Sequence, residues 1–162
     1  MSTHSPTPEP TLSAKGLRFA LCAARWNGEF VEQLLAGART ALQERGAEEV
    51  RVHRCSGAFE LGPLAARVAR AGGVDGIVAL GCLIRGGTDH YALLASEVMR
   101  ALGMLALECA TSPRAVAVAF GVLTCENPEQ AQERADPRRQ NKGAEAALAC
   151  LEQAHALQAV GP

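Results

Sequence analysis

The chain is short of aromatic residues: one Trp, one Tyr and four Phe in 162, or 4%. Its core must therefore be built from small aliphatic groups, and Ala is abundant, at 31 residues. An excess of one charge is also lacking. Sixteen Lys and Arg stand against 17 Asp and Glu, a net charge of -1. No basic surplus draws the protein onto nucleic acid or an anionic membrane surface. The longest near-continuous apolar run, Ala115–Leu123, is too short to span a bilayer. The six cysteines (22, 55, 82, 109, 125 and 150) include no Cys-x-x-Cys pair, and no His stands near them at metal-ligand spacing. That argues against a zinc-finger pattern; a chain of this length has little need of a disulfide scaffold, and reduced, mostly buried thiols in a cytoplasmic protein are the expectation. Met1–Ala14 holds Ser, Thr and Pro but no apolar targeting segment. It is expected to be a flexible tail ahead of one domain over residues 15–158.

Apolar residues make up 48% of the chain, enough for a core. Leu17–Ala24 reads as a buried strand. Phe30, Leu34, Leu35, Ala38, Ala41 and Leu42 follow helical spacing, with Gly46 as a stop. A weaker strand at Glu49–Arg54 precedes a helix over Leu61–Ala71, which ends at Gly72-Gly73. Gly76–Leu80 reads as a short buried strand, followed by a glycine-rich loop from Gly81 to Gly87 and a helix from about Asp89. Met104–Ala110 fits either a strand or the end of that helix. Ala117–Thr124 is a strand. Asn127-Pro128-Glu129-Gln130 opens a helix, and a last helix covers about Lys142–Leu157 after the Asn141 cap. Strand and helix alternate four times, which predicts an α/β fold with a parallel sheet covered on both faces. Ligands in such sheets bind beyond the carboxyl ends of the strands. This selects Arg25–Gly28, Cys55–Glu60, Gly81–His90 and the segment from Cys125 onward.

Those segments hold the residues with chemical potential. Trp26, the only Trp, either stacks on a planar heterocycle or caps the core; Asn27 lies beside it. Arg85-Gly86-Gly87-Thr88-Asp89-His90 combines backbone freedom, a hydroxyl and a helix start, which suits a phosphate cradle. It equally suits an ordinary glycine turn. It is neither a Walker nor a Rossmann motif. His90 is the candidate for proton transfer near neutral pH. Arg134, on the helix opened by Asn127, offers a planar fork for phosphate or is simply a surface charge. Arg138, Arg139 and Lys142 form a modest basic patch beside it.

Taken together, these segments resemble the lumazine synthase family. The resemblance is carried by Ala24-Arg25-Trp26-Asn27, Gly57-Ala58-Phe59-Glu60-Leu61, Gly81 through Tyr91, Phe120 through Asn127, Glu129-Gln130-Ala131, Glu133-Arg134-Ala135 and Asn141-Lys142-Gly143. It implies a flavodoxin-like three-layer sandwich with a four-stranded parallel sheet. It also implies condensation of 5-amino-6-(D-ribitylamino)uracil with 3,4-dihydroxy-2-butanone 4-phosphate to 6,7-dimethyl-8-ribityllumazine, without cofactor or metal. By the same resemblance, Trp26 stacks on the pyrimidine, Ala58, Phe59 and Glu60 hold the ribityl chain, and Cys82, Leu83 and Ile84 meet the uracil edge. Gly87, Thr88 and Arg134 bind phosphate, and His90 is the acid/base. Phe120, Arg134 and Lys142 come from a neighbouring subunit of a pentamer, which in this family often forms a 60-subunit shell. Riboflavin synthase is the implied partner. The chain departs from the family pattern with Ser56 before Gly57, Gly62 inserted ahead of Pro63, and Ala92 after Tyr91. Two other readings are a shell-forming or lumazine- or flavin-binding paralog with weak turnover, and a generic flavodoxin-like nucleotide or signalling domain.

Overall fold

The computed structural model describes residues 12–161. Four parallel strands form one sheet in the order β2-β1-β3-β4. They are β1 (Arg18–Ala24), β2 (Glu49–Cys55), β3 (Gly76–Ile84) and β4 (Ala117–Cys125). The helices are α1 (Gly28–Glu44), α2 (Leu61–Ala71), α3 (His90–Ala110), α4 (Pro128–Ala135) and α5 (Lys142–Val160). The strand alternation divides the core in two. Phe19, Leu21 and Ala23 of β1, with Val78, Leu80 and Cys82 of β3, face α1, α4 and α5. Ala20, Cys22 and Ala24, with Ile77 and Ala79, face α2 and α3. Strands buried on both faces explain their near-continuous apolar runs. This is the three-layer, flavodoxin-like α/β arrangement, and its chain order reverses between β1 and β3.

Two boundaries differ from the sequence expectations, and one that they left open is decided. β3 runs to Ile84 instead of ending at Leu80, because its ladder with β4 continues from Gly81↔Val122 to Ile84↔Cys125. Gly81 is small for a packing reason, not a turn. A Cβ there would stand 3.1 Å from Leu61 Cδ1, against the start of α2. Met104–Ala110 is helical, with Leu102, Leu105 and Cys109 buried on one face of α3. Finally, Ala14 is fully buried and its N–H donates to the Arg45 carbonyl at 2.8 Å, so ordered packing begins before residue 15. Residues 1–11 of the expected tail lie outside the described residues. No helix among the described residues is long and apolar enough to cross a membrane.

Candidate active site

Three loops meet beyond the carboxyl ends of β1, β2 and β3, and backbone hydrogen bonds join the first two. The N–H of Arg25 donates to the carbonyls of Cys55 and Ser56 at 3.0 Å each, and that of Trp26 to the Ser56 carbonyl at 3.1 Å. Asn27 takes a left-handed conformation (φ 55°, ψ 42°) that Asn tolerates well. Its side-chain Nδ2 donates to the Cys82 carbonyl at 2.9 Å, bridging β1 to β3 at the switch point. Within the loop after β2, Glu60 Oε2 accepts from the Gly57 N–H at 2.8 Å, which closes the turn before α2.

These loops surround a cavity of about 680 Å³. Of the residues expected at a site, Trp26, Asn27, Ala58, Phe59, Glu60, Cys82, Leu83, Ile84, Thr88 and His90 line it. The indole of Trp26 is 73% exposed and the ring of Phe59 60%, so neither caps the core. Two flat rings held over an otherwise apolar hollow suit a planar ligand. Burial pushes the Cys82 thiol up to about 12, with Cys125 nearby adding to the effect, which keeps it protonated at neutral pH.

Gly87 lies on the loop between β3 and α3 but does not line the cavity. Phe120, Arg134 and Lys142 do not line it either. Phe120 is 38% exposed and lines a separate groove between β4, α5 and the end of α3. Arg134 sits on α4, and its buried Nε has no hydrogen-bond partner among the described residues. Lys142 opens α5 and pairs with Glu145. The expected basic patch is largely neutralised, since Arg138 meets Asp136 and Arg139 meets both Glu133 and Asp136.

Gly86, part of the expected cradle segment, also lines the cavity, and three cavity residues were missed as site candidates by the sequence reading: Gly57, Tyr91 and Leu94. Helical spacing carried the signal for Leu94, one turn beyond His90 on α3. At Gly57 a Cβ would lie 3.1 Å from Glu60 Oε2, so a side chain there would press on the carboxylate that closes the turn.

Residues 16–158 match the family model described as 6,7-dimethyl-8-ribityllumazine synthase. A protein of that name from Anaeromyxobacter dehalogenans (strain 2CP-C) is 46% identical over 154 residues, covering 94% of this chain and 92% of that protein. One from Kineococcus radiotolerans is 47% identical over 158 residues, covering 96% and 94%. Another, from Nitratidesulfovibrio vulgaris (strain DP4), is 42% identical over 157 residues, covering 96% and 97%.

Proposed function

The chain belongs to the 6,7-dimethyl-8-ribityllumazine synthase family, and from that premise we propose that it catalyses the condensation the family name describes. The amine of 5-amino-6-(D-ribitylamino)uracil attacks the ketone of 3,4-dihydroxy-2-butanone 4-phosphate. Water leaves to give an imine, inorganic phosphate departs, and ring closure expels a second water. The observation that supports this most directly is the single cavity joining exposed rings, the backbone of β3's last residues, a glycine loop and His90.

Each group has a task in that scheme. Trp26 stacks on the pyrimidine. The backbone of Ala58, Phe59 and Glu60 holds the ribityl chain, and backbone groups of Cys82, Leu83 and Ile84 read the uracil edge. Gly87 and Thr88 take the phosphate together with Arg134. His90 moves protons between the amine, the ketone oxygen and the ring-closing carbonyl. Both substrates are intrinsically reactive, so holding them in contact supplies much of the acceleration.

The same proposal assigns Phe120, Arg134 and Lys142 to a neighbouring copy, which would complete the cavity from outside. The unpaired Arg134 Nε and the half-exposed Phe120 support this. So do Leu93, Met104 and Leu107, large apolar side chains exposed on α3. A homo-oligomer follows, a pentamer or a 60-subunit shell, in the cytoplasm, passing its product to riboflavin synthase.

The test is turnover: growth of lumazine fluorescence above the spontaneous background. His90→Ala is expected to lower kcat by no more than about a hundredfold, the low end for a proton-transfer group. Arg134→Ala is expected to raise KM chiefly for the phosphate substrate. Complete loss in a folded His90→Ala variant, or an unchanged KM in Arg134→Ala, would contradict these roles. No acceleration by the assembled wild type would return the reading to a binding or shell protein.

A further inference from the structure

Arg85 is outside the substrate-contacting set, yet it is held from three directions. Its N–H donates to the Cys125 carbonyl at 2.9 Å. Its guanidinium Nε lies 2.7 Å from Glu126 Oε2, and its Cζ sits 4.8 Å from the centroid of the Tyr91 ring. Tyr91 lines the cavity on the first turn of α3, beside His90. Glu126 directly precedes Asn127, the cap of α4, and its own N–H donates to Gln130 Oε1 at 3.1 Å. One side chain therefore ties together the entrance of the loop over residues 85–89, its exit into α3, and the start of the helix that carries Arg134.

The loop between these anchors has little packing of its own. A Cβ built at Gly86 or Gly87 would meet nothing within 4 Å. Two consecutive glycines in open space sample a wide range of backbone conformations. A cradle made from them is ordered either before binding, by an outside tie, or during binding at an entropic cost.

We propose that Arg85, clamped between Glu126 and Tyr91, is the positioning residue of the phosphate subsite: it holds the Gly86–Thr88 loop of its own cavity in the arrangement that receives the phosphate, without touching it, and steadies the start of the α4 whose Arg134 serves a neighbouring copy's cavity. The proposal rests on the functional reading above. An exposed ion pair by itself contributes little, so the role shows in which binding step suffers. The sign at Glu126 is decisive. If Arg85 bound phosphate directly, neutralising Glu126 would free the guanidinium and tighten phosphate. If Arg85 is a clamp, the same change loosens the loop and weakens phosphate.

The experiment uses the assembled full-length protein, with calorimetry of inorganic phosphate binding and separate KM values for the two substrates. Arg85→Ala is expected to weaken phosphate and raise the KM of the phosphate substrate about tenfold, from loss of the stacked and paired contacts. The KM of the pyrimidine substrate and kcat at saturation should stay near wild type. Glu126→Gln should move phosphate affinity the same way by less, and the double variant should add little to Arg85→Ala. Arg85→Lys, which keeps charge but loses the planar face, should fall between. Tighter phosphate in Glu126→Gln, unchanged values in Arg85→Ala, or an equal rise in both KM values would overturn the clamp. If the wild type binds phosphate but does not turn over, the functional reading fails and phosphate affinity still decides the clamp. If the wild type binds no phosphate, the clamp falls and turnover alone judges the function.

Discussion

At Gly143, on the first turn of α5, an added Cβ would lie 2.0 Å from the Leu34 carbonyl oxygen of α1. A neighbouring constraint lies at Gly37, whose Cβ would stand 2.1 Å from Asn141 Oδ1, the atom that caps α5 by accepting from the Ala144 N–H. The α1–α5 crossing is thus fixed by backbone against backbone. Gly143→Ala is expected to destabilise the fold by roughly 1–3 kcal/mol, the usual range for overpacking, read as a lower urea midpoint; an unchanged midpoint would contradict the crossing. The buried thiols give a second residue-scale expectation. Burial pushes Cys22, Cys82 and Cys150 each up to about 12, against ~8.5 for a solvated thiol. Their folded-state values are raised, so their contribution is complete below the unfolded value and is lost as pH rises from ~8.5 toward the folded values. Urea stability should fall between neutral pH and about pH 10, with a shallower fall in Cys150→Ala. Equal slopes in the two proteins would contradict it. Residue roles were partly legible beforehand. Trp26 stood out as the only Trp at a strand end, but composition could not separate a stacking ring from a core cap. Its exposure rules out the core cap, and it belongs to a pattern: Trp26, Phe59 and Phe120 are exposed in a chain with few aromatics, while only Phe19 and Phe30 are buried.

α4 is a short helix of low apolar content that depends on its ends and neighbours. Asn127 Oδ1 accepts from the Gln130 N–H at 2.9 Å, and Pro128 occupies the first turn. The amides of Gln132 and Gln33 of α1 exchange two hydrogen bonds at 2.9 and 3.0 Å. Asn127→Ala should cost about 1 kcal/mol, concentrated in α4. Hydrogen exchange is expected to show lost protection over residues 128–135, accompanied by a higher KM for the phosphate substrate because Arg134 rides on that helix. Unchanged protection there would contradict the account. The cap of α4 was readable in the sequence because Asn-Pro-x-Gln is a local signal. The extent of β3 was not. Gly81 looks like a turn residue until Leu61 and Val122 are seen on either side of it. Likewise the apolar run Met104–Ala110 carries no period of its own that separates strand from helix; the packing of Leu105 and Cys109 against the sheet decides it.

On the scale of the whole molecule, one chain presents the cavity while Phe120, Arg134 and Lys142 stand away from it. A parallel sheet covered on both faces was legible from the alternation of apolar strands and helices, a local pattern; its flavodoxin-like, four-stranded form came with the family resemblance. Assembly was not, because an exposed Leu93 or Leu107 has the same identity whether it faces water or another copy. The central claim is a synthase site built from two copies, and co-expression of Trp26→Ala with Arg134→Ala tests it most directly. Each variant alone is expected to be severely impaired when the phosphate substrate is kept well below the raised KM of Arg134→Ala. In mixed oligomers, roughly a quarter of the sites would pair an intact cavity with an intact Arg134 under random assembly around a head-to-tail ring. Recovery of about that fraction of wild-type lumazine formation is the result expected. Mixed oligomers no more active than the two parents would contradict a shared site.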